Sequence, residues 1–216
     1  APDQAVDLVG HSMGGNVITT YAGVRPSRIA RLIDLEGFGM PATKPEQAPG
    51  RYAKWLDELR SPPTMRTYAS QAEVAARMQQ NNLRLPAERA AYLSGHWARE
   101  TAPGVWEIQG DPVHKATSAV LYRIDEIMAC WQAITAPVLW VEGAESDVWR
   151  GMGPREQARA ELDRRKGFLN RVTTAIIPNA GHMLHHDQPQ ALAQLIEDFL
   201  LLPDATEEPR NVPDTA

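Results

Sequence analysis

At 216 residues, with a net charge of -5 and a pI near 5.7, the chain has room for one ordinary domain or for a domain that carries an insertion. Its charges gather into neither a basic cluster nor a polybasic run, which argues against nucleic acid and against an anionic membrane surface as partners. The single cysteine, Cys130, excludes an internal disulfide and reads as buried filler beside Trp131. No apolar run approaches membrane length, and the first residues lack the basic flank and apolar core of a signal peptide, so a cytoplasmic protein is expected.

The first element is an apolar run, Ala5 to Val9, that ends in Gly10-His11-Ser12-Met13-Gly14 and passes at once into a helical pattern over 13–24. Strand, sharp turn, helix is the order, with Gly10 and Gly14 expected to be small so that the turn can close around Ser12. Arg25-Pro26 ends the helix, because proline disfavours helix in the residue before it. Residues 29–36 then read as a buried parallel strand, completing a βαβ unit and predicting a parallel sheet.

From Phe38 the pattern changes. Pro41, Pro45, Pro49 and Gly50 make a stiff linker, and helical patterns follow over 52–59, 71–81, 86–98 and 118–129, with strand alternation only near 105–109. This is a helical insertion. The sheet pattern resumes at 136–143, and a polar loop follows over 144–153. A charged helix is expected over 154–166, on the surface, and a β-branched strand over 172–177. A loop rich in histidine (181–186) leads to a last amphipathic helix that starts at Pro189. The expected division is therefore 1–37 core, 38–134 cap, 135–202 core again, and a disordered polar tail over 203–216.

The strand, Gly-x-Ser-x-Gly turn and helix at 5–24 resemble the nucleophile elbow of the α/β-hydrolase family, and Asn179-Ala180-Gly181-His182-Met183-Leu184, with Asp187 and Pro189, resembles that family's histidine loop. The resemblance implies an α/β-hydrolase fold, a parallel sheet flanked by helices with an inserted helical cap, close to lidded serine hydrolases of the esterase type. It implies that Ser12 is the nucleophile, that His182 is its base and that the backbone N–H of Met13 helps hold an oxyanion.

The third member should be a carboxylate. Ala144-Glu145-Ser146-Asp147 resembles the family's acid loop and selects Asp147, although Ser146 stands at the usual count from Pro137. Some relatives take the acid from the end of the preceding strand, where Glu36 stands, so Glu36 is the alternative; Glu145 and Asp34 come after it. His185 and His186 are the alternatives to His182 as base. His11 is expected to pack or to bond, while His96 and His114 are expected to be structural or to line a pocket.

Serine at the elbow argues for acyl chemistry on carboxylic esters or thioesters, with a small, apolar substrate under the cap lined by His11, Phe38, Trp55, Trp97, Trp106 and Trp131. Two rival readings stand beside it: a carbon–carbon bond hydrolase of the same fold, and a non-catalytic small-molecule receptor or pseudoenzyme. No cofactor and no metal are expected, since the histidine spacing lacks a matching cysteine or carboxylate cluster, and nothing in the sequence fixes an oligomeric state. The strands that precede the elbow in the family, and the loop that supplies a second oxyanion N–H, have no counterpart in the sequence. The chain is thus expected to be a fragment, one that need not be active alone.

Overall fold

A computed structural model describes residues 4–202; the tail expected over 203–216 lies outside the described residues. Strand β1 (Val6–His11) leads through Ser12 into α1 (Met13–Val24), and β2 (Ile29–Leu35) follows. Much later in the chain come β6 (Val138–Gly143), α6 (Arg155–Lys166), β7 (Val172–Ile177), the single turn α7 (Leu184–Asp187) and α8 (Pro189–Leu200). The four strands form one parallel sheet in the order β1-β2-β6-β7.

Side chains of a strand alternate between its two faces, and both faces of this sheet are covered, which is why β6 reads as an unbroken apolar run. Leu32, Val138 and Trp140 point to one face and pack with Met128, Trp131 and Leu162. Ile33, Leu35, Leu139 and Val141 point to the other and pack with Ile177, Leu184, Leu192 and Phe199. Burying each such Leu or Ile contributes about 1.5–3 kcal/mol. The outer strand differs: Val6 and Val9 of β1, with Val17, Tyr21 and Val24 of α1, are exposed.

Residues 38–134 hold α2 (Ala48–Arg60), α3 (Gln71–Asn81), α4 (Ala87–Trp97) and α5 (Ile124–Gln132). They also hold an antiparallel sheet of β3 (Thr67–Tyr68), β4 (Ala98–Ala102) and β5 (Val105–Ile108) in the order β3-β5-β4. The insertion is therefore not mainly helical throughout as expected: the strand alternation near 105–109 is β5, and β3 and β4 join it unforeseen. The strands β3 and β4 are short and largely exposed, so they carry no apolar alternation to read. Val74, Met78, Leu85, Ala90 and Ala98 give this region a core of its own.

Helix α5 does not share that core. Met128 and Trp131 belong to the main core, and α5 lies against α1 so closely that a Cβ on Gly23 would stand 2.0 Å from the Cys130 carbonyl oxygen. The helix over 155–166, expected on the surface, buries Ala158, Leu162 and Arg165 at i, i+4 and i+7. Arginine in that stripe disguised it, yet the Arg165 guanidinium is buried and bonds the Phe38 carbonyl at 2.8 Å and Glu161 at 2.7 Å. Among the described residues, no helix is long and apolar enough to cross a membrane.

Candidate active site

The parallel register brings the carboxyl ends of four strands to one rim, with His11 beside Leu35, Leu35 beside Val141 and Gly143 beside Ile177. At that rim the chain leaves the sheet by unusual turns. Among the described residues, the non-glycine residues with positive φ are Ser12 (53°), Glu36 (59°) and Asn179 (54°), one after each of β1, β2 and β7. Such conformations cost roughly 1–3 kcal/mol each and persist only where the surroundings over-determine them.

Ser12 is held by its own N–H, which donates to the Leu35 carbonyl at 2.8 Å, while its carbonyl accepts the N–H of Asn16 at 3.1 Å. A Cβ on Gly10 would lie 2.5 Å from the backbone of Gly14, so Gly10 is needed for α1 to start where it does. Gly14 itself has open space around it, contrary to expectation, and the second tight position is Gly15, whose Cβ would stand 2.1 Å from Asp34 Oδ1. Met13 opens α1, so its N–H is among the first-turn amides that a helix cannot pair internally.

His182 Nε2 lies 2.9 Å from Ser12 Oγ, and His182 Nδ1 lies 3.0 Å from Glu36 Oε2. The imidazole is partly exposed; the Glu36 side chain is wholly buried. Its other oxygen, Oε1, accepts the N–H of Gly143 at 2.6 Å, and Ser146 Oγ donates to Oε2. Glu36 thus receives donors from two elements. Asp147, the expected neighbour of His182, is not there: its side chain is 59% exposed and pairs with Arg150 at 3.0 Å. The correction has a local cause. The serine at position 146 turns inward and Asp147 falls on the outside of the loop, whereas the left-handed turn at Glu36 aims that carboxylate along the sheet rim. Glu145 points away as well, to Arg84.

Asp34 sits beneath this turn, fully buried, with Oδ1 accepting the N–H of Gly37 at 2.9 Å and Oδ2 without a partner among the described residues. Burial, with the nearby Glu36 charge adding to it, pushes its pKa up to about 7.

The remaining expected residues divide. His11 bonds the His182 carbonyl through Nε2 at 2.7 Å, and its ring lies 4.8 Å from that of His182. His185 packs edge-on against both His11 and His186, at 4.5 and 4.3 Å, and burial beside those rings lowers its pKa to about 3. The ring that meets Ser12 is thus that of His182, and those of His185 and His186 do not reach it. Trp97 meets His186 edge-on at 5.9 Å. Trp106 packs on the insertion's own core and Trp55 lines a cleft of about 560 Å³ within the insertion. Trp131 is corrected from pocket lining to core, buried against Trp140 at a ring distance of 5.6 Å, whereas Phe38 both stacks on Trp140 at 5.5 Å and lines a cleft of about 240 Å³ with Gly143 and Ser146. The donors Gly143 and Ser146 escaped sequence reasoning, as did the role of Asp187, whose Oδ2 accepts the N–H of Gly181 at 2.8 Å. The polar residue at the count where an acid was expected was the available signal for Ser146.

A model of the alpha/beta hydrolase family matches residues 1–195. Among solved structures, a thioesterase domain from the curacin biosynthetic pathway is 27% identical with a TM-score of 0.70, the match covering 91% of this chain and 66% of that one. A hypothetical protein from Pseudomonas aeruginosa PAO1 is 23% identical with a TM-score of 0.75, over 92% of this chain and 68% of that one. An esterase from Mycobacterium tuberculosis is 21% identical with a TM-score of 0.59, over 91% and 60%. The chain thus spans about two thirds or less of the length of these structures, and at the two lower identities the likeness is one of fold.

Proposed function

Because the chain belongs to the alpha/beta hydrolase family, we propose that it forms the catalytic part of a serine hydrolase acting on carboxylic esters or thioesters through Ser12, His182 and Glu36. The observation that carries this reading is the continuous line of contacts from Ser12 Oγ through the two ring nitrogens of His182 to Glu36 Oε2, at 2.9 and 3.0 Å. A serine hydroxyl is a weak nucleophile at neutral pH and needs such a base. His182 takes the proton as Oγ attacks the acyl carbon and returns it to the leaving alcohol or thiol. Water, activated by the same imidazole, then releases the acyl group.

Glu36 fixes the tautomer with the proton on Nδ1 and stabilises the imidazolium that forms. The Met13 N–H, at the positive end of α1, supplies one donor to the oxyanion. The position of the acid at the end of β2 departs from the Asp147 expectation, and its two further donors, Gly143 and Ser146, keep it aimed. The thioesterase among the similar structures favours acyl substrates of that chemistry, and Trp97 beside the histidine loop favours an apolar acyl group.

The test is labelling of the intact protein with a fluorophosphonate, together with hydrolysis of p-nitrophenyl and thioester substrates. Covalent labelling that disappears in Ser12→Ala, with hydrolysis lost in parallel, is the expected result. An intact protein that binds small acyl ligands while Ser12 stays unlabelled would instead make it a receptor.

A further inference from the structure

Five residues after the base, Asp187 closes the histidine loop on itself by accepting the Gly181 N–H at Oδ2. Its other oxygen, Oδ1, accepts from Nδ2 of Asn82 at 2.7 Å. Asn82 belongs to the insertion: it caps the carboxyl end of α3, and its N–H donates to the Met78 carbonyl at 2.9 Å. Its carbonyl accepts the N–H of Leu85 at 3.0 Å and its Oδ1 the N–H of Arg84 at 3.1 Å, so the turn into α4 fixes which way the amide points.

Two more contacts leave the same turn and helix. Arg89 of α4 donates to the carbonyl of His186 and, at 3.4 Å, to that of Asp187. Arg84 pairs with Glu145, whose own N–H donates to the Ala180 carbonyl at 2.9 Å. Behind the turn, Val74 and Met78 of α3 pack with Leu85 and Ala90, which joins the two arms of the hairpin through one core. The insertion therefore holds the segment bearing His182 from Ala180 to Asp187.

We infer that the α3–α4 turn is a clamp on the base, in which Asn82 and Asp187 are positioning residues that set where His182 presents Nε2 to Ser12. The inference rests on the proposed hydrolase reading for its catalytic consequence, and on the contacts alone for its geometry. Each Asp187 oxygen has a donor from a different side, Asn82 on one and Gly181 on the other. Release of either one lets Gly181 shift, and a displacement of about 1 Å at a reacting group costs roughly a hundredfold in rate.

The experiment exchanges the pair in the intact protein. Asn82→Asp sets two carboxylates face to face, and Asp187→Asn turns an amide toward a donor. Each is expected to lower kcat about tenfold or more while KM stays within about twofold. The double variant N82D/D187N restores both bonds, because the amide at 187 can donate to the new carboxylate at 82 and accept from Gly181. It should return kcat to within about threefold of the parent.

Hydrogen exchange at the Gly181 amide is followed in parallel: protection should fall in each single variant and return in the double. Single variants with unchanged kcat, a loss confined to KM, or a double variant no better than the singles would each overturn the clamp. If the parent neither hydrolyses esters nor labels with fluorophosphonate, the hydrolase reading fails separately, and the exchange data alone decide the clamp: unchanged Gly181 protection in the singles overturns it.

Discussion

The turns that follow β2 and β6 leave adjacent, paired strands at the same rim, and each carries a carboxylate, yet the two carboxylates share almost nothing else. Glu36 is buried, sits at φ 59° and faces His182, Gly143 N–H and the Ser146 hydroxyl. Asp147 is exposed and meets Arg150, three residues away, in the kind of surface pair that contributes little. A carboxylate becomes useful to an imidazole through the donors that hold it, and the motif around it is a weaker guide than that cage.

The largest expected effect tests that difference head on. Glu36→Gln keeps shape but removes the charge that stabilises the imidazolium, and kcat should fall about a thousand- to ten-thousandfold, as for the neutralised acid of a serine protease triad. Steady-state hydrolysis of a p-nitrophenyl ester measures it; a loss below tenfold would erase the distinction between the two turns.

Next comes the backbone where the turns meet. A Cβ on Gly143 would stand 2.5 and 2.6 Å from the Gly181 and Ala180 carbonyl oxygens, whereas Gly151, farther along the same loop, has open space. Gly143→Ala should cost about 1–3 kcal/mol in urea unfolding and Gly151→Ala less than about 0.5 kcal/mol.

A smaller effect would sharpen the comparison by moving the acid from one turn to the other. Because Ser146 Oγ already contacts Glu36 Oε2, E36Q/S146D should recover about tenfold of the rate lost in E36Q, equivalent to about 1.4 kcal/mol. No gain over E36Q would mean that the β6 turn cannot support an acid at this rim.

Asp34 offers a pH test of the β2 turn. Its folded pKa, about 7, lies above the ordinary 3.8, so the folded chain holds a proton that the unfolded chain releases. The stability this contributes is fully present below pH 3.8 and is lost as pH rises through 7. Asp34→Asn keeps an acceptor for the Gly37 N–H without titrating, so its melting temperature relative to the parent should climb across that window; a flat difference would contradict it. The smallest effect belongs to Asp147→Asn, for which kcat should stay within about twofold.

Much of this was readable from the chain. Val172 to Ile177 and the helix from Gln71 to Asn81 stand where their patterns put them, because β-branched runs and capped, alanine-rich segments are local signals. Ser12 and His182 were legible for the same reason: each sits in a short motif whose backbone demands are written nearby.

The choice between Asp147 and its alternative Glu36 as the carboxylate beside His182 was not, since the donors that hold Glu36 come from residues 107 and 110 positions later, and only the β2–β6 register brings them over. Distance also hid the packing of Phe38 and Trp131, whose partner is Trp140 on a remote strand, and that of Arg165, whose partner carbonyl lies 127 residues away. In the insertion, two short exposed strands left too little pattern to read.

The left-handed backbone at position 36 has a consequence for any evolutionary route through this site. That conformation is tolerated best by glycine, asparagine and aspartate, none of which has the length of the side chain that now spans the gap to residue 182; glutamine has the length and lacks the charge. No single exchange at this position satisfies backbone and imidazole together, so a descendant that abandons it would have to establish a carboxylate elsewhere on the rim first.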